Sequence, residues 1–384
     1  MDNKATKLLI RFSDWSNRHL SHQQFLMILS AIIGFTAGLG AVVIKNLTHY
    51  IQRLLEGNLI INYHHAFYFI FPLIGLSLTL LVIKVVLKKK IGHGIPSTLY
   101  AISRRKGIMR SFQMYASIIT APLTVGFGGS VGLEGPTVAT GASLGSNISR
   151  FFKMNQSSRT LLIGCAAAGA MSSIFKAPIA AIIFAIEVFS LDLTLISMVP
   201  LLIASVSAIL TSYFFFGSDI ILPVDLQDNF NISEVPFYII LGVLAAGCSM
   251  YFTHIYFKIG DAFKKIDSLF YRLLLGGLGL GILIYLIPPL YGEGYNVINN
   301  LLAEDYLEAL GTNFFNDYLD NIWIVIILLA GLVIFKILAT SAHLWSRRHW
   351  RYFCAGIIYG ERYGALLCTN YKQSGNIKNP HFGK

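Results

Sequence analysis

Glu134 stands inside a glycine-dense stretch, Gly128-Gly129-Ser130-Val131-Gly132-Leu133-Glu134-Gly135-Pro136, followed by the run Thr137-Val138-Ala139-Thr140-Gly141. Glycine lets a backbone turn sharply and approach a ligand closely. Proline at the first helical position gives up an amide that would lack a partner there anyway. The remaining amides of such a start point outward and carry about half a positive charge. In water that end binds phosphate or carboxylate. Inside a membrane, a broken helix whose start is aimed at the midplane is an anion site. Glu134 is then an anion tethered at the mouth of an anion site. A carboxylate that only stabilises the helix start would explain the residue without any transport.

Gly92-His93-Gly94-Ile95-Pro96-Ser97-Thr98-Leu99 has the same grammar of glycine turn, proline and helical run. One such element carries little, because Gly and Pro punctuate many membrane helices. Two in one apolar chain could aim two helix starts at one point. A third proline-initiated helix is expected over Phe175-Lys176-Ala177-Pro178 to Val188, with small residues that permit close packing. Its Glu187 is a functional candidate by position, as a proton carrier, or else a carboxylate reaching interfacial water at a helix end.

These elements need a membrane around them, and composition supplies it. Of 384 residues, 55% are apolar and 13% charged, with mean hydropathy +0.62. A soluble domain carries about 25% charged residues. Runs long enough for a crossing of about 20 residues are Phe25 to Leu47, Ala66 to Leu87, Leu193 to Phe216, Phe237 to Phe257, Leu269 to Leu290 and Ile322 to Ala339. The pieces between Met109 and Ile186 are shorter, so re-entrant or broken helices are expected there. The net charge of +11 sits at the ends of apolar runs, which indicates cytoplasmic loop charge and not nucleic-acid binding. Cys165, Cys248, Cys354 and Cys368 have no metal spacing and read as free thiols. No metal or cofactor is expected.

Residues 1–22 lack a cleavable signal. They place Leu8, Leu9, Phe12 and Trp15 on one helical face, for the membrane surface or for plain packing. Basic clusters at Lys84 and Lys88 to Lys90, at Arg104 to Arg110, at Arg150 to Arg159 and at Lys258 to Arg272 put those ends and the N-terminus in the cytoplasm. The stretches Gly217 to Pro236 and Tyr291 to Asn321 contain acids but no Lys or Arg, and should face outside.

Together the motifs resemble the CLC family of voltage-gated-type chloride channels and chloride/proton antiporters. The family's G-S-G-I-P stands here as Gly92-His93-Gly94-Ile95-Pro96, and its G-R-E-G-P as Gly132-Leu133-Glu134-Gly135-Pro136. The Phe-x-Ala-Pro helix ending Phe-x-Ile-Glu is Phe175 to Glu187, and Gly292-Glu293-Gly294-Tyr295 resembles a later glycine turn. The resemblance implies an all-α polytopic membrane protein of two inverted repeats with broken, tilted helices. The first half would be 23–217, and the second would start at 234–342. It also implies a homodimer with one pore per subunit, in a lipid bilayer such as a bacterial inner membrane, and chloride as the partner. Amides near His93, Gly94, Ile95 and Gly135 would hold the anion. Glu134 would be the gate, blocking the anion's place when ionised and swinging away when protonated.

The departures have consequences. His93 replaces the family's anion-touching serine and could donate a hydrogen bond or act only as a cap. Leu133 replaces an arginine. Antiporters of the family usually carry a second Glu where Val188 stands, and Glu187 points about 100° away around the helix. Val188 therefore favours channel-like, passive chloride conduction, with chloride/proton antiport as the alternative. A different class, a membrane hydrolase, rests on Gly141-Ala142-Ser143-Leu144-Gly145, a nucleophile-elbow pattern that needs a preceding strand and a nearby His. An enzyme is not expected.

After Ser341 the resemblance stops. His343-Leu344-Trp345-Ser346-Arg347-Arg348-His349-Trp350 crowds charge and tryptophan where the family has a glycine-rich turn and G-G-I-F-A-P. We expect a reading-frame shift near Ala342, leaving residues 343–384 an aberrant, poorly ordered tail and the second repeat incomplete. The product would then be a truncated, non-functional family member, or else the true protein is longer. Trp350 to Gly356 can be encoded TGG CGG TAT TTT TGC GCC GGN. One base later this reads Gly-Gly-Ile-Phe-Ala-Pro. Sequencing the gene across codon 342 should find that string in the second frame, and its absence there ends the proposal.

Overall fold

Small residues decide how closely the helices approach. In a computed structural model the described residues are 21–58, 66–89, 94–217, 232–303 and 322–346, and those in regular structure are helical. In chain order the α-helices are α1 (His22–Asn58), α2 (Ala66–Leu81), α3 (Gly94–Arg104), α4 (Gln113–Gly126), α5 (Glu134–Phe151) and α6 (Gln156–Phe175). There follow α7 (Pro178–Phe189), α8 (Leu195–Phe216), α9 (Val235–Lys264), α10 (Leu269–Leu286), α11 (Tyr295–Leu302) and α12 (Ile322–Ser346). A π-helical turn, Val82–Leu87, prolongs α2.

The centre is the crossing of α1, α6 and α8. A side chain at Gly34 would collide with the Ala204 carbonyl oxygen, and one at Gly38 would lie 2.9 Å from that of Ala208. Gly169 of α6 fits into the same crossing, against Ala204, Ala208 and Gly34. On its other flank α6 receives α5, where Gly141 and Gly145 meet the carbonyls of Ala166 and Leu162. The buried core here is Leu29, Ile33, Ala37, Leu162, Ala166 and Ala170. Without a hydrophobic difference between lipid and protein, such close backbone packing is what holds membrane helices together. Farther along the chain, α10 lays Gly277 and Gly281 against Leu73 and Phe69 of α2, and α12 packs on α9 and α10.

Among the described residues, seven helices are long and apolar enough to cross a membrane. Six coincide with the expected runs, and the seventh, Gln156–Phe175, corrects the expectation of only short pieces between Met109 and Ile186. It reads weakly because it is built from Gly, Ala, Ser and Cys, residues suited to burial in protein and not in lipid. The first span also runs on to Asn58 instead of ending near Thr48, since nothing from Thr48 to Glu56 breaks a helix.

α12 continues through Ser346, four residues into the stretch expected to be poorly ordered. His343 is fully buried, and Trp345 packs on Gly260 and the Tyr256 ring of α9. For His343 to Ser346 the expectation is therefore corrected: these side chains fill space between helices. The stretch 347–384, residues 1–20 of the expected surface helix, and His93 lie outside the described residues.

Gly34→Leu should destabilise the chain by about 1–3 kcal/mol by forcing α1 from α8. Thermal unfolding in detergent checks this, and an unchanged midpoint would contradict the crossing.

Candidate functional site

Pro136 and Pro96 were expected at first helical positions. Pro136 is instead third, because α5 opens at Glu134, while Pro96 stands two residues after Gly94, whose φ of +48° is not helical, at the edge of the described stretch. The first four amides of a helix have no carbonyl one turn back, so proline is tolerated anywhere in that turn. Glu134 itself thus opens α5, with Leu133 as the N-cap residue. The two starts meet. Gly94 takes φ +48°, and a Cβ there would lie 3.2 Å from the Gly135 carbonyl oxygen. Beside Gly135 the corresponding space is open to 4 Å. Ile95, next in α3, packs with the apolar cluster of Val138 and Ala181.

The loop before α5 is tied by residues far along the chain. Gly129 N–H donates to the Thr124 carbonyl at 2.9 Å. Gly128, at φ +86°, lies against the Tyr291 ring, whose hydroxyl donates to the Gly126 carbonyl at 2.9 Å. Thr340 of α12 donates to the Ser130 carbonyl at 2.8 Å. A side chain at Gly132 would collide with the Glu134 carboxylate, which folds back over it.

Sequence reasoning missed the groups that finish the site. The Tyr295 hydroxyl donates to Glu134 Oε1. Its ring is set edge-on against Phe175, with centroids 6.1 Å apart. Glu293 Oε1 accepts from the Leu133 amide at 3.1 Å, so two carboxylates serve the start of α5. Lys336 of α12 holds the turn that carries Glu293, donating to the Gly292 carbonyl at 2.9 Å and that of Leu290 at 3.3 Å. A narrow crevice with no room for water, lined by Lys45, Leu133, Thr137 and Glu293, lies alongside. The signals were present. Glu293 precedes a glycine as Glu134 does, and Lys336 is a cation inside an apolar run.

The turn of Glu293 lies outside the candidate spans. Burial, and next the Glu134 carboxylate, raise the Glu293 carboxyl to about 7, against the pull of the Leu133 amide, Lys45 and Lys336. Burial and the bond to Glu134 also raise Tyr295, which keeps its hydroxyl proton to donate.

Glu187 is not brought to this cluster. It is exposed near the end of α7, a helix packed on α6 and α8, while Val188 packs into the apolar cluster around Ala181 and Ala185. Ser143 lies within a helix, not after a strand, and its hydroxyl faces Asn147 and the Arg110 carbonyl.

The sequence profile described as voltage gated chloride channel matches residues 74–378. The chain belongs to the voltage-gated chloride channel family. It is 27% identical over 299 residues to the H(+)/Cl(-) exchange transporter ClcA of Citrobacter koseri, covering 74% of this chain and 63% of that one. The first relatives it matches are spanned over 51% and 63% of their length. Its fold matches a slow cyanobacterial Cl-/H+ antiporter (TM-score 0.66, 19% identity, covering 92% of this chain and 80% of the other). It also matches a CLC-type fluoride/proton antiporter (TM-score 0.67, 18% identity, covering 86% and 78%). These likenesses, with the apolar helices, make it a multi-pass integral membrane protein with a CLC fold.

An acid raised from 4.5 to about 7 binds more protons folded than unfolded. Its stabilisation is complete below pH 4.5 and is lost as pH rises through about 7. Glu293→Gln should therefore flatten the fall in melting temperature between about pH 5 and about pH 8. An equal fall in variant and parent would refute the shift.

Proposed function

We propose that this chain carries chloride across a membrane in exchange for protons. In this reading Glu134 is both the plug of the anion's place and the group that takes up the proton. The observation that carries it is the meeting of two helix starts at Gly94 and Gly135, with a carboxylate in the first turn of one of them. First-turn amides have no partner within the helix, and the positive end they form favours a negative group. An ionised Glu134 is that group. Once protonated or displaced, it leaves the amides near His93, Gly94, Ile95 and Gly135, and the freed Tyr295 hydroxyl, to a dehydrated chloride. Open space beside Gly135 supports a ligand there. The exchanger names of the relatives support coupling to protons. The expected topology and resemblance support a homodimer in a bacterial inner membrane with a cytoplasmic N-terminus.

One observation favours a second reading, passive conduction. Exchange needs an inner proton acceptor, and Val188, packed among apolar side chains, is not one, while Glu187 is exposed.

Chloride and proton movements of the full chain in proteoliposomes test both. A chloride gradient should drive protons uphill, and Glu134→Gln should keep chloride flux but cut proton movement at least tenfold. Chloride flux without proton movement in the parent selects the passive reading. Flux of neither ion, or proton movement unchanged by Glu134→Gln, ends the assignment of Glu134.

A further inference from the structure

Glu293 belongs to none of the motifs that suggested an anion site, yet it reaches the same helix start as Glu134. The turn that carries it is flanked by Gly292 at φ +62° and Gly294 at φ +95°. Only glycine adopts such angles freely, and the pair projects one carboxylate from a tight turn. Its Oε1 accepts from the N–H of Leu133, the residue directly before Glu134. The charged and titratable groups around it are Lys45 from α1, Glu134 from α5, Tyr295 from α11 and Lys336 from α12. Lys336 is committed to the Gly292 and Leu290 carbonyls. Glu293 is partly buried beside the crevice, so its charge is screened less than in open water.

We propose that Glu293 is a second proton-binding residue of the outer gate, whose charge sets how tightly a halide or the Glu134 carboxylate holds the start of α5. This deepens the transport reading and rests on it. One helix start offers roughly half a positive charge. With Glu293 neutral, that field serves one anion, either Glu134 or chloride. With Glu293 ionised, a second negative charge shares it and opposes whichever anion is seated. Halide affinity therefore falls as Glu293 loses its proton. By linkage, halide binding draws a proton onto Glu293. The carboxyl of Glu293, at about 7, makes this a change across neutral pH. The proton passes between the Glu293 carboxylate and the outer solution, and no other bond is made or broken.

The test is chloride affinity of the purified full chain in detergent, by calorimetry at about pH 6 and about pH 8. The parent should bind chloride roughly five- to tenfold more weakly at the higher pH, with proton uptake on binding. Glu293→Gln keeps an acceptor for the Leu133 amide, and its gel-filtration profile should match the parent's. It should bind at both pH values as the parent does at pH 6, within about twofold, and Glu293→Asp should restore the pH dependence. A parent that binds chloride while Glu293→Gln shows the same pH dependence overturns the role of Glu293 alone. A parent that neither binds nor transports chloride overturns the transport reading, and this one with it.

Discussion

A helix that starts inside an apolar protein leaves amides unpaired, and something negative has to meet them. Everything around the start of α5 follows from that requirement. Glu134 stands in the first turn of the helix, and Glu293 accepts from the amide just before it. Gly135 brings the start of α3 to within contact at Gly94. Two carboxylates on one helix end exceed what the end needs as a cap. That surplus is the physical argument for a gate, in which a protein anion and a diffusing one are alternatives at the same place.

The surplus is tolerable because the surroundings distribute it. Tyr295 donates a neutral hydrogen bond to Glu134. Lys336 spends its protons on backbone carbonyls, so it steadies the turn under Glu293 without pairing directly with the carboxylate. Lys45 and Lys336 act on Glu293 through space. Burial outweighs both, and the carboxyl is raised to about 7.

Much of this was legible in the chain. Apolar runs separated by charged ends located six of the seven candidate spans among the described residues. Gly and Pro marked both helix starts, because few other residues permit those turns. Gln156–Phe175 was not legible as a span, since a helix buried by protein replaces Leu and Ile with Gly, Ala and Ser. The exact opening of α5 was not legible either, because proline fits several first-turn positions. Tyr295 and Glu293 were visible as a glycine turn but not as neighbours of Glu134. A contact across such a separation leaves no period in the sequence. His343 and Trp345 read as misplaced polar and aromatic bulk, yet glycines at 129 and 260 leave room for them. Such complementarity shows only when both surfaces are seen.

The bonds from Tyr291, Glu293, Tyr295 and Thr340 to the segment from Gly126 to Glu134 also bear on how the protein is made. The ribosome releases the earlier segment long before its later partners. Until the Glu293 turn and α12 have been made, the Leu133 amide and the Ser130 carbonyl must be satisfied by water or by the insertion machinery. A nascent chain halted before residue 291 would carry α1 to α10 but none of these four partners. Biogenesis of the gate is thus a closing event, completed when the last described helix docks.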